Sequence, residues 1–111
     1  MGAGYLVVRA VVADPADRTP FDEWYRQEHL PDALKAFDAR SAMRGWSTLD
    51  PAVHTAFYRF HTVEAAQAAA SGPAIKDLIA AFDRCWGTRV TRTRDILAIA
   101  DELEEQRHER S

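Results

Sequence analysis

Two stretches of this chain alternate so that every second side chain is apolar and the intervening ones are mixed. That pattern restricts the fold more than any other feature. In residues 5–13 (YLVVRAVVA), Leu6, Val8, Ala10 and Val12 share one face, while Tyr5, Val7, Arg9 and Val11 share the other, because successive strand side chains point to opposite sides of a sheet. In residues 53–61 (VHTAFYRFH), Val53, Thr55, Phe57, Arg59 and His61 lie on one side, and His54, Ala56, Tyr58 and Phe60 on the other. The face of Leu6, Val8, Ala10 and Val12 is purely apolar and needs helices packed on it. The mixed surface is too apolar to leave wet and too polar to be a dry core, so it calls for a cover of its own.

The remaining segments supply the helices. Residues 14–20 (DPADRTP) form a loop with helix-start chemistry: Thr19 suits the cap, Pro20 the first helical position and Asp22 the first turn. The helix continues through FDEWYRQEHL, with Phe21, Trp24, Tyr25 and Glu28 on one side and Asp22, Tyr25 and His29 on an overlapping strip. Pro31 interrupts it and predicts a kink near Leu30, after which DALKAF resumes. Residues 40–49 read as a strand with Gly45 as a bulge, and Asp50-Pro51 as a turn. Residues 63–70 form a short helix, broken by Ser71-Gly72. From Pro73, Ile75, Leu78, Ile79, Phe82 and Trp86 recur at helical spacing, until Gly87 stops the helix. Residues 89–99 form the last strand, and the charged tail DELEEQRHERS is expected to begin helical and then fray.

The order β-α-β-β-α-β over 111 residues describes one α+β domain, here residues 1–100 followed by the tail 101–111. Two helices can cover one face of a four-stranded antiparallel sheet. The other face, with Val7, Val11, Phe57 and Trp46 beside Arg9, Arg59 and His61, is expected to meet a second copy of the chain across a twofold axis. Two open sheets would then enclose a small polar-lined cavity.

Composition narrows the partners. A net charge of -3 argues against nucleic acid, which requires a concentrated positive field. Arginine outnumbers lysine twelve to two, which reflects either a composition also rich in alanine or one or two arginines that grip an anion. The single cysteine, Cys85, reads as a packing residue beside Phe82 and Trp86, and the lack of a possible internal disulfide points to a reducing, cytoplasmic compartment. Nothing in the sequence approaches a membrane span, and MGAGYLVV reads as a strand and not a signal peptide.

The run F21-D22-E23-W24-Y25-R26-Q27-E28-H29-L30-P31 resembles the "F…Y…H-x-P" segment of EthD-like proteins in the dimeric α+β barrel superfamily, as does S71-G72-P73-A74-I75 with a Phe near the end of the following helix. The resemblance in element order covers about residues 5–100. It implies a homodimer of ferredoxin-like subunits with a cavity between helices and sheet, and a His29 that faces this cavity. It implies no single activity: relatives include isomerases, cyclases, lyase-like enzymes, cofactor-free monooxygenases and haem-degrading enzymes.

From the residues themselves, His29 is the best candidate for chemistry, since an imidazole moves protons near neutral pH. Tyr25 and Asp22 lie one and two turns earlier and can orient it; the competing reading is a histidine that braces the kink. Arg9 and Arg59 interrupt apolar strands and, if those strands are neighbours, can sit together. They then bind an anion or pair with acids such as Asp95 or Glu28. Trp46 reads as a cavity wall; Trp24, Trp46 and Trp86 can equally be core. His54 and His61 face opposite ways and cannot share a metal, and no spacing typical of a metal, phosphate or organic-cofactor site is present.

The expected function is cofactor-independent proton transfer on a carbonyl or enol-forming small molecule, of isomerase, lyase or cyclase type. His29, Tyr25 and Asp22 would be catalytic, with Arg9, Arg59, Trp46, Trp24 and His61 binding substrate. A non-catalytic ligand-binding or structural homodimer and a cofactor-free monooxygenase are the alternatives.

Overall fold

The computed structural model describes residues 2–105; Met1 and residues 106–111 lie outside the described residues. Strand β1 (Gly4–Val12) leads through a short 3-10 turn into α1 (Arg18–Trp24), a wide turn over Tyr25–His29 and α2 (Leu30–Phe37). Then come β2 (Ser41–Trp46), β3 (Val53–Phe60), α3 (Val63–Ser71), α4 (Pro73–Trp86) and β4 (Val90–Ala98). The four strands form one open antiparallel sheet in the order β2-β3-β1-β4. The helices pack on one face, the arrangement of a ferredoxin-like α+β fold.

The parity of β1 and β3 sorts their side chains as alternation requires. Leu6, Ala10, Val12, Ala56, Tyr58 and Phe60 are buried beneath the helices with Phe21, Leu78, Phe82 and Trp86. At the top of β1, a Cβ on Gly4 would come within 2.7 Å of the Val63 backbone, so glycine lets α3 start directly against the strand. Thr62 caps α3 by accepting from the Ala65 amide at 3.0 Å. Gly87, at φ 53°, ends α4 in a left-handed conformation that an L side chain would resist.

Several local expectations are corrected. Thr19 lies inside α1; the capping side chain is Asp14, which accepts from Ala16 N at 3.0 Å and starts the 3-10 turn ahead of it. Gly45 is no bulge: Arg44, Gly45 and Trp46 pair in unbroken register with Ala56, Thr55 and His54. Directly opposed residues share a face, so Trp46 lies on the helix side with His54 and not on the open face. Cys85 is exposed, because the buried stripe of α4 runs Ile75, Leu78, Phe82, Trp86 and leaves position 85 outside it. Residues 101–105 are not helical, and the rest of the expected tail helix lies outside the described residues.

The wide turn has a geometric cause. The Leu30 amide bonds the Tyr25 carbonyl, five residues back, in place of the usual four. Phe21, Tyr25, His29 and Ala33 are all buried at steps of four. In a regular α-helix each four-residue step overshoots by about 40°, roughly 120° over three steps. One extra residue in the turn takes back about 100°. The turn thus keeps the four on one line and leaves Glu28 exposed, contrary to the sequence pattern. It also widens the backbone just before Pro31, which has no N–H and whose ring would strike the carbonyl four residues earlier in a regular helix.

Candidate functional site

The wide turn aims Tyr25 and His29 at the sheet, where their rings meet edge to face at 4.9 Å. Trp24 stacks on the other side of the imidazole at 4.6 Å and 20°. Across the sheet, the Tyr25 and Tyr58 hydroxyls lie 3.3 Å apart. Phe82 borders His29 from α4, and the guanidinium of Arg92 on β4 lies 3.8 Å from the centre of the Phe82 ring. Tyr25, His29, Tyr58, Arg92 and Arg94 border a cavity of about 30 Å³, walled otherwise by Leu6, Val8, Ala33, Phe37, Leu78 and neighbouring aliphatic side chains. That is space for about two waters. The cavity lies between helices and sheet within one chain, and not between two open sheets.

Electrostatics follow from burial. His29 is 8% exposed, and none of its ring nitrogens is hydrogen-bonded among the described residues. Loss of solvent, helped by the positive charge of Arg92, lowers its pKa to about 4. At neutral pH it is an uncharged imidazole that can accept a proton, as a weaker base than an exposed histidine. Burial raises the Tyr25 and Tyr58 hydroxyls above the ordinary tyrosine value, so both remain protonated donors. Burial lowers Arg92 from the usual arginine value. Among the described residues its ion pair is a single 2.9 Å contact to Asp83, whose side chain is half exposed.

Asp22 does not join His29. Its Oδ1 accepts from Arg44 and from Trp46 Nε1, both at 2.8 Å, and the Arg44 bond holds its carboxyl below the ordinary value. Arg44 also reaches the fully buried His54, at 3.3 Å from Nε2. Desolvation and the Arg44 charge lower the His54 pKa to about 4. With Nε2 facing a permanent donor, the proton sits on Nδ1, which has no partner among the described residues. Asp22 and Trp46 border a separate open surface cleft of about 420 Å³.

The other expected binding residues scatter. Arg9 pairs opposite Thr55 and Arg59 opposite Tyr5. Their strands are indeed neighbours, but this register separates the two arginines by four residues, about 13 Å of strand. Arg59 bonds the Tyr5 hydroxyl at 2.8 Å and both Glu102 oxygens at 3.1 and 2.9 Å, so its acid is neither Asp95 nor Glu28. That carboxylate raises the Arg59 pKa. Arg9 is exposed on the open face, and His61 is exposed just past the end of β3. Of the five expected binding residues, Trp24 alone touches His29.

Arg92, Arg94 and Tyr58 border the cavity and were missed as site residues. Strand parity held the signal: Arg92 and Arg94 alternate in step with Val90 and Ile96, and so face the helices. Among the described residues, no group of three His, Cys, Asp or Glu side chains is placed to hold a metal ion. Among the same residues, no helix is long and apolar enough to cross a membrane.

No protein-family model and no curated protein matches the sequence. Solved structures do match in shape. SnoaB, a cofactor-independent oxygenase from Streptomyces nogalater, superposes in a mutant form with a TM-score of 0.69 at 11% identity, over 95% of this chain and 100% of that one. A candidate antibiotic biosynthesis monooxygenase from Bordetella bronchiseptica gives 0.67 at 13%, over 93% and 100%. An EthD family protein from Bacillus halodurans gives 0.59 at 19%, over 82% and 96%. At these identities the shared property is the fold. It is common to the oxygenase and EthD proteins alike and does not single out the EthD-like group.

Proposed function

We propose that this protein is a cofactor-free oxygenase that acts on a flat, electron-rich phenolic compound held between the helices and the sheet. The observation that carries this reading is an uncharged, buried His29 facing an apolar cavity whose other polar groups, Tyr25, Tyr58, Arg92 and Arg94, are all hydrogen-bond donors. Such a site takes a proton from the substrate and holds the anion that remains. The likeness in fold to a cofactor-independent oxygenase supports it.

The reaction balances without a redox partner. His29 removes a proton from a phenol whose keto tautomer carries a ring CH2, and Arg92 and a tyrosine hydroxyl hold the resulting oxyanion. The electron-rich carbanion form gives an electron to O2, and the two radicals join as a C–OO⁻ group. The imidazolium returns its proton to give C–OOH. Loss of the remaining C–H proton and cleavage of O–O leave C=O and water. For 1-naphthol the products are 1,4-naphthoquinone and one water per O2. Apolar walls suit dioxygen and strengthen the charge contacts.

The proton-transfer reading, an isomerase, lyase or cyclase, shares the first step and differs in needing no oxygen. Oxygen uptake with 1-naphthol separates the two: one O2 consumed per quinone, no O2 returned by catalase, and no turnover under nitrogen. His29→Ala is expected to lower kcat by about a hundredfold or more. Full turnover without oxygen would restore the proton-transfer reading. Loss of less than about threefold in His29→Ala, or ~0.6 kcal/mol in barrier, would remove the histidine's role. The non-catalytic alternative requires a His29 hydrogen-bonded away and a filled site. It is opposed by the free imidazole, although the small cavity volume fits it.

A further inference from the structure

We infer that the substrate of the site proposed above carries a carboxylate, and that Arg94 is the residue that selects it. The inference rests on the placement of the site between helices and sheet, and extends that reading from a reacting group to a substrate class.

Arg92 and Arg94 stand two positions apart on β4, opposite Ala10 and Val8 of β1, so both face the helix side. Both border the cavity, and none of the other bordering side chains is acidic: they are aliphatic or aromatic, with Tyr25, Tyr58 and His29. Two fixed positive charges therefore meet a cavity that supplies no negative one. Arg92 is mostly buried, its side chain 15% exposed, with one oxygen of Asp83 as its ion-pair partner. Arg94 has no ion pair or side-chain hydrogen bond among the described residues and lies at the exposed rim.

A guanidinium with an unused planar fork binds a carboxylate through two parallel bonds. The backbone positions of the two arginines are about 6.6 Å apart along the strand. That separation suits two oxygen groups on one flat molecule: the reacting oxygen inside, on Arg92, and an anionic substituent nearer the surface, on Arg94. A neutral substrate would leave the Arg94 fork unused and the charge at the rim unbalanced.

The test compares 2-naphthoate with 2-naphthamide, which share shape and differ in charge, using Trp fluorescence quenching or calorimetry at low salt. The acid is expected to bind the wild-type protein at least about tenfold more tightly, the scale of a charge-assisted hydrogen bond. In Arg94→Gln the ratio of the two affinities should fall to within about twofold. In Arg40→Gln, an exposed arginine of the loop before β2 that does not border the cavity, the ratio should persist. Equal affinities in the wild type, a ratio retained in Arg94→Gln, an equal loss in Arg40→Gln, or no binding of either probe at millimolar concentration would each overturn the proposal. Because binding is read without oxygen, a carboxylate preference in a protein that never consumes oxygen would defeat the oxygenase reading alone.

Discussion

Two buried histidines set the acid limit of this molecule. His29 and His54 both have folded pKa values of about 4 against an ordinary 6.5. The unfolded chain therefore binds their protons first as pH falls. Stability from these groups is complete above about pH 6.5 and is lost progressively towards pH 4, on the order of 3 kcal/mol for each. Urea titrations at several pH values should show this loss, and His54→Gln should remove about half of it. An unchanged slope would mean that His54 is charged in the fold. The same low value for His29 predicts that kcat/KM stays level from pH 6 to 8 and declines only on the acid side. At this scale the sequence was informative where spacing along one helix decided contact, as for Tyr25 and His29. It failed for Asp22, whose partners Arg44 and Trp46 come from a strand more than twenty residues away, and for Arg9 and Arg59, whose distance depends on register.

At the level of elements, the wide turn over Tyr25–His29 is the feature that sequence periodicity anticipated only as a kink. A proline in a helix announces a disturbance; whether the backbone bends or absorbs an extra residue depends on which side chains must stay on the buried line. Here Phe21, Tyr25, His29 and Ala33 decide the matter. Deletion of Gln27, exposed in this turn, would allow regular helix with the same four residues still aligned. It would also press Pro31 against the preceding turn, at a cost of about 3 kcal/mol. Adding Pro31→Ala to the deletion should recover most of that stability in a thermal or urea melt. If the double variant melts no higher than the deletion alone, proline is not what the turn accommodates. Three of the strands were legible to within a residue, since alternation is a strong signal, whereas the second, read as 40–49, stops at Trp46; the false bulge at Gly45 arose from reading glycine alone, without the pairing that shows it in register.

For the whole molecule, the open side of the sheet remains to be covered. Met43 and Leu97 are 57% and 41% exposed, and Val7, Val11 and Phe57 lie between them on the same face. We propose that a second copy packs there. Sedimentation at micromolar concentration should give the mass of a dimer, and Phe57→Glu should shift it to a monomer with the fold retained. A wild-type monomer would leave the face to another partner. That this surface differs from its opposite was legible from two strands alone. That the cavity lies on the helix side was not legible from the residues alone, which pointed to a space between two sheets, and came only from the resemblance, because it depends on how α2 and α4 meet above β1 and β4.

With only about 30 Å³ beside His29, a bicyclic ring has nowhere to go until the helices part from the sheet. Capture should therefore be limited by breathing of the protein itself: in rapid mixing, the observed rate ought to level off as ligand concentration rises, at the frequency with which the resting form opens.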